Sequence, residues 1–134
     1  MKPGKVRFGY LHYAFLGPES QRAAEASECA AEQGAFWPYH DRLYERQAGE
    51  NRGAFSQDNL KQFAVELGLD GRAFNACLDS GKFAATVRAD TAAGESLGVK
   101  GTPAFLVNGR PLVGALSFEA FRKVIETELG ASEK

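Results

Sequence analysis

Two groups of residues in this 134-residue chain are of types that do chemistry: the cysteines Cys29 and Cys77, and the corner Gly101-Thr102-Pro103. Paired thiols carry out thiol–disulfide exchange when one is a thiolate, which a helix N-terminus or a nearby cation promotes. Cys29 and Cys77 stand 48 positions apart, and neither has another cysteine within three residues. Both fall on apolar helix faces, away from any expected helix start. Three readings of the pair stay open: two reduced cysteines packed as small hydrophobes, a structural disulfide between two helices, or a catalytic couple. As a staple, a closure of this length stabilises by roughly 4 kcal/mol in the loop-entropy model. No residue of this chain is assigned as a catalytic nucleophile.

The corner directly precedes an apolar run, Ala104-Phe105-Leu106-Val107, then Asn108-Gly109 and a second run, Pro111-Leu112-Val113. Proline is tolerated where a strand begins because it need not donate to the ladder there. An X-Pro bond in such a tight corner is also the usual home of a cis peptide. Asn-Gly accepts positive φ at both positions, so the two runs are expected to pair as a hairpin.

The remaining candidates are weaker. His40 shares an expected helical stripe with Phe36, Leu43 and Tyr44, and is read as a half-buried histidine satisfied by its surroundings. His12 lies in an expected strand with no partner in view. Asp90 falls on the apolar stripe of its helix and is read as a buried polar contact without a catalytic role. Two histidines and two cysteines at these separations lack metal-ligand spacing, so no metal and no cofactor are expected. The aromatic residues, Trp37 included, are read as core.

Those residues need a frame, and composition bounds it. A hydrophobic content of 44% with 25% charged residues is that of a globular domain with a substantial core. A net charge of -1 leaves no electrostatic footprint for nucleic acid or a membrane surface. No apolar run reaches the roughly 18 residues of a membrane span, and Met1-Lys2-Pro3-Gly4-Lys5 is not the opening of a signal peptide.

Alternating Val6, Phe8 and Tyr10 predict a strand over 5–14. Pro18 opens a helix with Ala23, Ala26 and Ala30 on one face, closed by Gly34. A second helix starts near Pro38. Ser56 is placed as the N-cap of a helix burying Leu60, Phe63, Ala64 and Leu67, and Asp70 as the N-cap of one carrying Phe74, Cys77 and Leu78. A long helix follows with Phe83, Val87, Asp90 and Leu97 on its stripe. After the hairpin, Ser117 caps a last helix with Phe118, Phe121, Ile125 and Leu129 inward. Strands at both ends of the chain with helices between them predict an α/β domain with a helical insertion over about 18–97.

The Gly101-Thr102-Pro103 corner, with Leu97-Gly98-Val99 before it and Gly114 after it, resembles the cis-proline loop of the DsbA-like branch of thioredoxin-fold proteins. Ala30-Ala31-Glu32-Gln33-Gly34-Ala35-Phe36-Trp37 with His40-Asp41, Leu67-Gly68-Leu69-Asp70 and Phe74–Lys82 carry the same resemblance in the same order, from Gly4 to Gly130. It implies an α/β, thioredoxin-like fold: a small central sheet, the helical insertion, and residues 98–130 as cis-Pro loop, hairpin and C-terminal helix, in one domain over 1–134. The family's Cys-x-x-Cys helix and the strand before it have no counterpart here, so the resemblance implies an N-terminally truncated domain.

By the same resemblance, the parent protein is a thiol-disulfide oxidoreductase acting on protein cysteines through a mixed disulfide. It would be extracytoplasmic, and this chain alone would be without dithiol catalysis. Gly101, Thr102 and Pro103 would be the substrate-binding loop, with the Thr102 backbone presented to an extended substrate segment. A second, non-catalytic bridge in the helical part of some members fits Cys29–Cys77. Two rival readings are a glutathione transferase or isomerase of the kappa class, whose loop more often shows valine where Thr102 stands, and a redox-inactive module. Such a module would bind peptides, or form a homodimer through an exposed sheet edge.

Overall fold

A computed structural model describes residues 4–132. Its elements are α1 (Pro18–Ala31), α2 (Phe36–Glu45), α3 (Gln57–Glu66), α4 (Gly71–Asp79), α5 (Ala84–Ser96), β1 (Ala104–Val107), β2 (Arg110–Val113) and α6 (Phe118–Ser132). The chain forms two compact units, one of residues 11–93 and one that joins the N-terminal stretch through Tyr10 to the chain from Gly94 onward.

The helical unit is built on α1. Ala26 and Ala30 are fully buried on it and Ala23 nearly so, and these small side chains let α2, α3 and α4 approach its backbone. Leu60, Phe63 and Ala64 from α3, Phe74 and Leu78 from α4, and Tyr39 from α2 fill the core. Burying side chains the size of Leu60 or Phe74 stabilises by roughly 1.5–3 kcal/mol each. The Tyr39 hydroxyl meets its need for a partner by donating to the Leu60 carbonyl at 2.8 Å. Burial holds the Tyr39 phenol well above the ordinary tyrosine pKa.

Local signals end the helices. The Ser56 hydroxyl accepts the Asn59 N–H, and the Asp70 carboxylate accepts the Ala73 N–H, satisfying amides that have no intrahelical partner. Helix α1 is capped differently. Its N-cap is Gly17, which has no side chain to offer, and the Glu19 N–H is taken by Asn51 Oδ1 at 3.3 Å from the polar loop. The Asn51 amide nitrogen also donates to the Leu16 carbonyl, and Glu19 Oε1 accepts the Gly53 N–H at 2.7 Å.

The second unit contains the hairpin of β1 and β2, with α6 packed on β1. Phe105 meets Phe121 edge-on at 4.8 Å, and the Ser117 hydroxyl accepts the Ala120 N–H at the start of α6.

Four expectations are corrected. Residues 5–14 form no strand: a ladder needs a partner, and among the described residues only β1 and β2 pair. Their alternating Val6, Phe8 and Tyr10 are 37%, 51% and 40% exposed. The buried face of α2 is set by Tyr39, while Tyr44 is exposed. Leu97 lies just past the end of α5 and is exposed, and Phe118 in the first turn of α6 is exposed.

Candidate substrate edge and the cysteine pair

The Thr102–Pro103 peptide bond is cis. Gly101 is half-buried, and Thr102 and Pro103 are exposed. The loop is tied to the hairpin by the Gly114 N–H, which donates to the Pro103 carbonyl at 2.8 Å. Asn108 and Gly109 take φ of 51° and 83°, the two positive values that a two-residue hairpin turn demands. The register pairs Ala104 with Val113, Phe105 with Leu112, Leu106 with Pro111 and Val107 with Arg110.

In an antiparallel pair, every second facing couple exchanges backbone hydrogen bonds. The Pro103–Gly114 bond fixes the phase: Phe105–Leu112 and Val107–Arg110 are bonded couples, and Ala104–Val113 and Leu106–Pro111 are not. Two consequences follow. Pro111 sits where its missing N–H costs the ladder nothing, on the outer edge of β2. On the other edge, the backbone N–H and C=O of Ala104 and Leu106 point away from β2, and no strand among the described residues pairs with them. Exposed Thr102 leads directly into that edge.

Cys29 and Cys77 are joined as a disulfide, with S–S 2.11 Å and a Cα–Cα distance of 5.9 Å. Cys29 lies in the last turns of α1 and Cys77 near the C-terminal end of α4. Neither position offers the unpaired amides of a helix start that would hold a thiolate. The disulfide lies against a shallow groove of about 490 Å³ lined by Glu32, Gln33, Ala73, Ala76, Ser80 and Lys82. Across it the Lys82 ammonium pairs with the Glu32 carboxylate.

His12 is corrected most strongly. It is buried, with Nε2 2.8 Å from Glu28 Oε1, and its backbone N–H donates to Asp90 Oδ2 at 3.2 Å. Two residues on, the Ala14 N–H donates to the Thr91 hydroxyl, so this segment is bound to α1 and α5 by polar contacts. His12 and Glu28 are 16 positions apart, and no local pattern in the sequence marks them as partners. Asp90 is half-buried and occupied by His12. His40 Nδ1 lies 3.0 Å from Asp41 Oδ1, and its ring lies edge-on to Trp37 and tilted against Phe36 and Tyr44. Trp37 is 46% exposed and so is not core. Among the described residues, no group of three or more histidine, cysteine or acidic side chains is arranged to hold a metal. No helix among them is long and apolar enough to cross a membrane.

A family model described as the DSBA-like thioredoxin domain matches residues 6–126. The chain is 39% identical over 109 residues to a Na(+)/H(+) antiporter NhaA of Herminiimonas arsenicoxydans, covering 81% of this chain and 17% of that protein. It is 28% identical over 130 residues to the probable disulfide bond formation protein D of Bacillus anthracis, covering 94% of this chain and 59% of that one. The chain thus spans less than a fifth of the first and about three fifths of the second. Among solved structures, a thioredoxin-like oxidoreductase from Silicibacter pomeroyi DSS-3 superposes with a TM-score of 0.74 at 24% identity, over 89% of this chain and 66% of that one. That likeness establishes a thioredoxin-like fold.

Proposed function

The chain belongs to the DSBA-like thioredoxin domain family, and on that premise we propose that it is the substrate-engaging part of a thiol-disulfide oxidoreductase domain that acts on cysteine-containing proteins. One observation carries the reading: exposed Thr102 and Pro103 run into a β1 edge whose Ala104 and Leu106 backbone groups have no strand partner among the described residues. An extended peptide can add there as a strand, held by main-chain hydrogen bonds that do not depend on its sequence. Gly101 completes the loop as the half-buried residue before Thr102. The helical part serves as an insertion within a single domain, with residues 98–130 forming the loop, hairpin and last helix.

The redox step in such enzymes is attack of a thiolate on a disulfide sulfur, giving a mixed disulfide. Both cysteines of this chain are consumed in the Cys29–Cys77 bridge, so the chain alone supplies no attacking thiolate. A retained cystine in the helical part fits an oxidising, extracytoplasmic setting.

The test is an amide chemical-shift titration with an extended peptide whose cysteine is alkylated, so that only non-covalent binding is read. Perturbations are expected at Thr102, Ala104 and Leu106. The variant Leu106→Pro removes the outward N–H at a position equivalent to that of Pro111, leaves the ladder intact, and is expected to abolish them. Shifts centred elsewhere, or unchanged in L106P, overturn the reading. Insulin reduction by the chain in dithiothreitol is expected at the background rate even where the thiol opens the bridge, because neither Cys29 nor Cys77 lies at a helix start that would hold a thiolate.

A further inference from the structure

We propose that Cys77 is an S-thiolation site, at which a low-molecular-weight thiol entering the groove beside α4 opens the Cys29–Cys77 disulfide in the folded protein. The groove runs along the bridge and both half-cystines line it. They are not equally reachable: Cys77 is 8% exposed and Cys29 is 2% exposed. On the Cys77 helix the groove is lined by Ala73 and Ala76, two small residues that are both solvent-exposed. The Gln33 amide at the groove is fixed by the Asp70 backbone, accepting its N–H at 2.8 Å and donating to its carbonyl at 3.2 Å. Of the two half-cystines, Cys77 is therefore the one more open to a small thiolate entering the groove. The Lys82 ammonium lines the same groove with its partner Glu32, and this neutral pair sets no strong preference for the charge of the thiol.

The step balances as ordinary exchange. The incoming thiolate forms a bond to Cys77 Sγ as the Cys29–Cys77 bond breaks, and Cys29 departs as a thiolate that takes a proton from solvent. A second equivalent of thiol attacks the external sulfur of the adduct, releases the symmetrical small-molecule disulfide and leaves Cys77 reduced. Overall, two thiols are oxidised and the protein disulfide is reduced. Opening the bridge unties α1 from α4, the helices that carry much of the core, so the helical unit becomes responsive to the thiol concentration around it.

The experiment uses the oxidised chain with reduced glutathione under native, anaerobic conditions, quenched by alkylation and mapped by peptide mass spectrometry. The glutathione adduct is expected on Cys77 in excess over Cys29 by about tenfold or more, and to form faster than the chain unfolds globally under the same conditions. The variants Ala76→Phe and Ala73→Phe, each at an exposed helix position, are expected to slow adduct formation by about tenfold while leaving the far-ultraviolet spectrum unchanged. An adduct that forms only at the rate of global unfolding, or that sits on Cys29, overturns the proposal. So does an unchanged rate in both groove-filling variants.

Discussion

His12 Nε2 lies 2.8 Å from Glu28 Oε1, joining a buried imidazole in the segment before α1 to a carboxylate on α1 that is only 27% exposed. With the His12 N–H on Asp90 as well, the residue ties that segment to two helices. Replacing His12 by Ala removes the ring and leaves Glu28 facing a cavity. Urea unfolding of H12A is expected to show a loss of about 1–3 kcal/mol, the range for stranding a buried hydrogen-bonded polar group. A loss below about 0.5 kcal/mol would mean that the contact is incidental.

Tyr39 yields a prediction with a pH signature. Tyr39→Phe deletes the hydrogen bond to the Leu60 carbonyl and should cost about 1 kcal/mol at neutral pH. Burial raises the folded-state pKa of this phenol above its unfolded value. The stability it contributes is therefore fully present below the unfolded pKa. Above about pH 10 the unfolded chain releases the phenolic proton and the folded chain retains it, so stability falls as pH rises. Wild type is expected to lose stability relative to Y39F across that alkaline range. Parallel alkaline curves for the two proteins would refute the assignment.

Gly17 and Asn51 form the third test. Gly17 has φ of 110°, and a Cβ built there would fall on the Asn51 side chain. Asn51 in turn caps α1 through the Glu19 N–H. Gly17→Ala is expected to cost about 1–3 kcal/mol from backbone strain and displacement of the cap, and Asn51→Ala about 1 kcal/mol from the lost cap. The two losses share one cause, so the double variant should be more stable than their sum by about 0.5 kcal/mol or more. Strict additivity in thermal unfolding of the four proteins would contradict a shared cap.

Where local chemistry decides the backbone, the sequence was readable. Ser56, Asp70 and Ser117 cap the helices they precede, and Asn108-Gly109 turns the two apolar runs into a hairpin as expected. Where a distant partner decides, it was not. Val6, Phe8 and Tyr10 alternate as a strand does, but alternation cannot supply a neighbouring strand. The phase of α2 turned on which aromatic residue could reach a carbonyl of α3, and that was Tyr39 and not Tyr44. His12 and Glu28 are 16 positions apart and on different local structures, so no spacing rule links them. The candidate edge was half-visible: the loop residues were readable, but the outward direction of the Ala104 and Leu106 backbone groups needed the bond between Gly114 and Pro103.

The disulfide gives the largest expected effect on stability. It closes a separation of 48 residues between α1 and α4, and constraining the unfolded chain over that length stabilises by roughly 4 kcal/mol in the loop-entropy model. Cys29→Ala with Cys77→Ala removes the cross-link and keeps the neighbouring helices free of new polar groups. Guanidinium unfolding of the double variant should show a loss of about 3–4 kcal/mol, with a steeper denaturant dependence as the unfolded chain expands. Each single variant leaves one thiol against the groove and should match the double variant within about 1 kcal/mol, because either change alone breaks the same closure. A double variant as stable as the oxidised chain would show that the packing of Ala26, Ala30, Phe74 and Leu78 holds α1 to α4 without the bridge.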